Sequence, residues 1–133
     1  MPITNSDFGQ ALDRIGQGKH VSLTTFRKSG RPVSTPVGSL VHDGTLYALT
    51  APDTGKVKRI RNNPQITIAP CAMNGTVPPG APTATGTARL LDETSTAQVQ
   101  DLMERRFCMY RLVRLVDRVL HRERPLIAIA ITG

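Results

Sequence analysis

Asp43-Gly44, set between "RPVSTPVGSLVH" and "TLYALTA", constrains this chain more than any other feature. A two-residue Asp-Gly connection suits a turn whose backbone twist matches that of paired antiparallel strands, so its flanks read as a hairpin. The neighbouring segments repeat the theme. "HVSLTTF", residues 20–26, sets Val21, Leu23 and Thr25 against polar or small neighbours, the alternation of a half-buried strand. Ser29-Gly30 then turns the chain into a second strand over residues 31–41. Pro32 and Pro36 each lack an N–H, so this second strand cannot be regularly paired along both edges. Further strands are expected at 45–51, 65–71 and 83–91, with the Gly- and Pro-rich loop "AMNGTVPPGAP" irregular and exposed before the last of them. "LIAIAIT", residues 126–132, is a sixth strand, and its near-continuous apolar character predicts burial on both faces.

Helical patterns are fewer. Asn5 or Ser6 can cap a first helix carrying Phe8, Leu12 and Ile15 at helical spacing, with Gly16 and Gly18 ending it. From about Thr94 to Leu120 the period is again helical, with Met109, Leu112, Val113, Val116, Val119 and Leu120 on one face and arginines opposite. Five consecutive β segments, little helix between them and one late strand predict a small antiparallel barrel with flanking helices rather than a parallel α/β sheet. At 133 residues the chain reads as one domain, 1–133, small enough that a partner subunit can be needed to complete a ligand pocket.

Charge narrows the partners. Seventeen Lys and Arg against ten Asp and Glu, a formal charge of +7, favour anions: nucleic acid, acidic lipid or a phosphorylated cofactor. With no Trp, three Phe and two Tyr, a surface for stacking successive bases is hard to assemble, which argues against nucleic acid. Cys71 and Cys108 lie on unlike elements without metal-ligand spacing and no secretory leader is visible, so a soluble protein of the reducing cytoplasm is expected. No apolar run has the length of a transmembrane helix.

The charge is concentrated in "TGKVKRIRNNP". Thr54-Gly55 can begin a short helix whose first N–H groups are unpaired, and Pro64 bars its continuation. Val57 and Ile60, one turn apart, face the core, leaving Lys56 and Arg59 on one flank and Lys58 and Arg61 on the other. A basic run is commonly a solvated face. Placed after a strand and a polar loop, this one also has the makings of a phosphate cradle.

The series "VSLTTFRKSGRPVSTPV", "DGTLYALTA", "GKVKRIRNNPQITIAPC" and "TGTARLL" resembles the split β-barrel flavin and deazaflavin oxidoreductases, the pyridoxamine 5′-phosphate oxidase-like superfamily, and most closely their actinobacterial F420-dependent branch. The likeness runs from about His20 to Leu91. It implies a six-stranded antiparallel split barrel of Greek-key type, a homodimer packed barrel against barrel, and a cofactor in the interface groove. It also implies that Lys56, with Lys58 or Arg59, holds the cofactor phosphate, and that Thr35, Pro36, Val37, Leu49 and Thr50 pass close to the isoalloxazine-like ring, largely through backbone groups. Thr35 and Thr50 have hydroxyls able to hydrogen-bond a ring, although threonine is also ordinary strand material.

Basic surface beyond one phosphate's needs favours F420, which carries a polyglutamate tail, with FMN as the alternative cofactor. Arg105, Arg106, Arg111 and Arg114 either line that tail site or are simply solvated. His20, His42 and His121 have no partners at metal-ligand spacing, and Walker and GxGxxG motifs are absent from the sequence. A chain without an evident acid, base or nucleophile fits an enzyme whose cofactor performs the chemistry. The leading expectation is an oxidoreductase that binds reduced F420 and delivers hydride from the deazaflavin C5 to an electron-poor double bond or carbonyl of a small-molecule substrate. A non-catalytic cofactor carrier is the second reading and a nucleic-acid module the third. The substrate itself is not legible, because pockets in such proteins are built from variable loops such as residues 72–82.

Overall fold

The computed structural model describes residues 20–72, 74–106 and 126–133, together with Leu12, Ile15, Leu112 and Leu115. Six strands close a barrel: β1 (His20–Phe26), β2 (Pro32–His42), β3 (Thr45–Thr50), β4 (Gln65–Pro70), β5 (Ala84–Leu90) and β6 (Ile127–Thr132). Helix α1 (Gly55–Asn62) joins β3 to β4, and helix α2 (Glu93–Arg106) joins β5 to the segment leading to β6.

Every pairing is antiparallel, in the order β1-β2-β3-β6-β5-β4, with β4 returning to β1. A three-strand meander followed by a strand that comes back beside the first is the Greek-key arrangement. Turn chemistry sets the hairpins. Asp43 (φ 50°) and Gly44 (φ 75°) both occupy the left-handed region that a two-residue hairpin turn needs, and Gly30 (φ 88°) does so in the turn whose Arg27 N–H meets the Arg31 carbonyl at 2.9 Å.

The inside of a six-stranded barrel is narrow, and β5 makes room by setting small residues against the large side chains of both its neighbours. Ile66 pairs with Gly86, Ile68 with Ala84, and Ile131 with Ala88. Val21, Leu23, Val37, Leu46, Ala48 and Ile129 complete the interior, and Leu12 and Ile15, both helical and buried, join the same core. Their place agrees with the expected first helix; Phe8 and its expected caps lie outside the described residues.

A second core lies under α2, where Val99 and Met103 bury against Leu40 and Ala128, with Tyr47, Leu49, Leu91 and Leu102 at the margin. Asp92 caps that helix through a Ser95 N–H bond to Oδ1 at 2.7 Å. The two cores explain the apolar character of β6: Ile129 and Ile131 point into the barrel while Ala128 faces α2, so residues 128–131 are all buried. Beyond α2, Leu112 and Leu115 are helical and each 54% exposed, so neither is covered by the described residues. The rest of the apolar face expected from Met109 to Leu120 lies outside the described residues.

Proline has the expected effect on β2. Residues Pro32 to Gly38 pair with β1, whereas the β3 ladder runs from Ser39↔Ala48 to His42↔Thr45. Continued by two residues it would set Val37 opposite Thr50; instead the strands part there.

Candidate functional site

At eight residues α1 is too short to be stable by itself, and packing must hold it. Val57 and Ile60 are buried, each worth about 1.5–3 kcal/mol in transfer from water, and anchor it to the barrel. Its N-terminus is left bare. Thr54 occupies the N-cap position in extended conformation, but its hydroxyl donates backwards to the Ala51 carbonyl at 3.0 Å, and the first turn contains no acidic residue. The positive end of the helix dipole therefore has no negative complement from its own first turn.

Two cations converge on this end. Lys56 Nζ donates to Thr50 Oγ1 at 3.2 Å, and Arg59 Nε donates to Thr25 Oγ1 at 2.6 Å. Helical side chains lean toward the N-terminus, and Arg59 leans far enough that a Cβ at Gly55 would stand 2.8 Å from its Nη1. Burial, and then the Arg59 charge, push the Lys56 ammonium below its ordinary pKa. Among the described residues neither cation is in an ion pair; the pair found is His42–Asp43, 3.3 Å apart on the β2–β3 turn. Two like charges beside a bare helix start are electrostatically incomplete, and their natural complement is an anion with several oxygens, such as phosphate.

The other residues expected at the site are distributed around the parting of β2 and β3. Thr50 is buried and accepts the Lys56 bond. Thr35 lies on the inward-facing phase of β2, its hydroxyl oxygen buried with no partner among the described residues. Val37 packs into the barrel core, Pro36 is exposed on the opposite face, and Leu49 turns its side chain outward to the core under α2. Val37, Leu49 and Thr50 lie beyond the last β2–β3 ladder pair. Lys58 is exposed and is not drawn toward Lys56 and Arg59. Sequence reasoning placed Thr25 on the inner face of β1 but missed its bond to Arg59, a contact across 34 residues that no local pattern reports.

A family model described as pyridoxamine 5′-phosphate oxidase matches residues 9–132, nearly the whole chain. The chain belongs to this family. Solved structures agree on the fold. The haem storage protein HutZ of Vibrio cholerae is 17% identical, with 100% of this chain and 91% of that one covered and a TM-score of 0.65. General Stress Protein 26 of Bacillus anthracis is 19% identical (93% and 87% covered, TM-score 0.57), and an F420 reductase is 14% identical (91% and 90% covered, TM-score 0.58). No curated protein matches the chain.

Members of the pyridoxamine 5′-phosphate oxidase family bind flavins, and the residues present here fit such a group. The Lys56–Arg59 pair suits a phosphate, and the unpartnered Thr35 hydroxyl lacks the hydrogen bond that a buried polar atom ordinarily has. Other chemistries find less support. Cys71 is half-buried, and burial pushes its thiol pKa up, away from nucleophile character. Among the described residues there is no group of three His, Cys, Asp or Glu that could hold a metal, and no helix long and apolar enough to cross a membrane. A groove of about 250 Å³ lies on the outer face of β3, β6 and β5, lined by Thr45, Tyr47, Thr87, Arg89, Ala130 and Thr132.

Proposed function

We propose that this member of the pyridoxamine 5′-phosphate oxidase family is a homodimeric oxidoreductase that binds reduced F420 and reduces an electron-poor double bond or carbonyl of a small molecule. The observation that carries the reading is the convergence of Lys56 and Arg59, without an acidic partner among the described residues, on the bare start of α1. These two side chains hold the cofactor phosphate, with exposed Lys58 adding longer-range attraction. The Thr35 hydroxyl and the backbone of Pro36, Val37, Leu49 and Thr50, at the opening between β2 and β3, face the ring. Thr50 Oγ1 accepts from Lys56 and keeps its own proton to donate. When bound, reduced F420 supplies hydride; the chain supplies position and electrostatics.

F420 is preferred because the cations exceed the needs of one phosphate: Lys58 and Arg61 remain on the far flank of α1, and a polyglutamate tail is a complement for them. The half-exposed Leu112 and Leu115 support a dimer, since apolar helical side chains left open in one chain gain by burial against a second. FMN is the second reading, favoured by the family's flavin binding. Fluorescence and absorbance titration with F420 of different tail lengths, FMN and haem decides between them. F420 binding that tightens with tail length is expected; tight binding of FMN alone transfers the site to the alternative. Equal affinity for tailed and tailless F420 removes the tail argument, and absence of turnover with bound F420 leaves a carrier.

A further inference from the structure

Thr25 is fully buried, on the inward-facing phase of β1 with Val21 and Leu23. A hydroxyl there costs desolvation that a valine of the same shape would avoid. Its partner is a charged group from 34 residues away: Arg59 Nε at 2.6 Å. A guanidinium offers hydrogen-bonding edges in a rigid plane, and once Nε is engaged the free fork is the pair of Nη groups. That fork is turned to the start of α1, with Nη1 2.8 Å and Nη2 3.8 Å from where a Cβ on Gly55 would stand. Gly55 has an ordinary negative φ, so the backbone does not require glycine; the space beside its Cα is taken up by the guanidinium.

We infer that Thr25 is a positioning residue for the anion site: its hydroxyl fixes Arg59 so that the two Nη groups, beside the Gly55 backbone, present a fork to two of the free oxygens of a phosphate monoester or to both of those of a diester. Resting on the reading that α1 and its cations form a phosphate site, this assigns the site's selectivity to a buried strand residue and to the missing side chain of Gly55. Without the Thr25 bond the guanidinium still carries its charge, but its direction is no longer set, so phosphate recognition weakens while the rest of cofactor binding does not.

Selectivity is read as the ratio of affinities for a phosphorylated cofactor and its phosphate-free counterpart, FMN against riboflavin and F420 against the phosphate-free deazaflavin. Thr25→Val should lower this ratio roughly tenfold, the scale of one charge-assisted hydrogen bond, with the affinity for the phosphate-free compound unchanged. Thr25→Ser should restore the ratio. Gly55→Ala, at an exposed helical position where alanine favours the helix, should lower the ratio as well by displacing the guanidinium. Thermal melting of each variant separates these effects from unfolding. If the unaltered protein has no preference for the phosphorylated compounds, the phosphate site itself is wrong and this inference falls with it. If that preference exists and Thr25→Val retains it, or loses both compounds equally, the phosphate site stands and the role of Thr25 is overturned. Should Thr25→Val fail to fold, an unchanged ratio in Gly55→Ala overturns the proposed seat of Arg59.

Discussion

Lys56 Nζ stands 3.2 Å from Thr50 Oγ1, tying the first turn of α1 to the last residue of β3. The cation is thereby held at the opening between β2 and β3, within reach of Arg59 and partly removed from water. Such a charge is a poor solution to stability and a good one to anion binding. Lys56→Ala should weaken F420 or FMN binding tenfold or more, from loss of a charge-assisted hydrogen bond of about 1.5–3 kcal/mol, and leave the melting temperature nearly unchanged. Lys28→Ala, on the exposed β1–β2 turn, removes the same charge and should cost only a screened, salt-sensitive part of the affinity. Equal effects of the two substitutions would reduce the α1 charge to surface solvation.

The same lysine predicts how binding responds to pH. Its pKa is depressed in the free protein, by burial first and Arg59 second, and a bound phosphate favours the charged form and raises it. Affinity is therefore full below the free-protein value. It falls as the pH climbs from that value through the raised value of the complex. Without ligand the linkage has the opposite sense: between the depressed value and the ordinary 10.5 the unfolded chain binds more protons, so the unliganded fold gains stability as pH rises. Titrations of FMN and riboflavin across this alkaline range test the first statement. Parallel decline of both would show that the lysine does not act on the phosphate.

Thr96 secures the α2 side of the barrel. Its Oγ1, on the buried face of the helix, accepts the N–H of Ala128 on β6 at 3.0 Å, where Ala128 is fully buried. Thr96→Val keeps the shape and abandons the N–H, which should cost about 1–3 kcal/mol in urea unfolding. Thr96→Ser should recover most of it. The phosphate preference should not change in either variant, because the bond lies in the second core and not at α1.

A dimer should sediment at micromolar concentration. Leu112 and Leu115 are helical and each 54% exposed in one chain, and replacing both with glutamate should shift the protein toward monomer if they lie in the interface. A monomer that still binds cofactor stoichiometrically would contradict the interface-groove arrangement.

Local chemistry made much of the fold legible in the sequence. Strand alternation at Val21, Leu23 and Thr25, the Asp43-Gly44 turn, and the Val57–Ile60 stripe each depend on residues within a few positions, and each is found where the pattern put it. The basic run of α1 and its bare start were equally visible, because charge and helix breakers are local properties of the chain. Tertiary structure decided what those residues meet. Closure of β1 on β4 brings Ile68 opposite Leu23, β2 parts from β3 beyond Ser39 and Ala48, and the buried Thr35 hydroxyl finds no partner among the described residues. The same closure brings Arg59 to Thr25, while Lys58, two residues from Lys56 in the same helix, remains in solvent. Sequence spacing assigns residues to the faces of a helix or strand; which face meets which buried hydroxyl depends on strand register and barrel closure, set by the packing of all six strands at once.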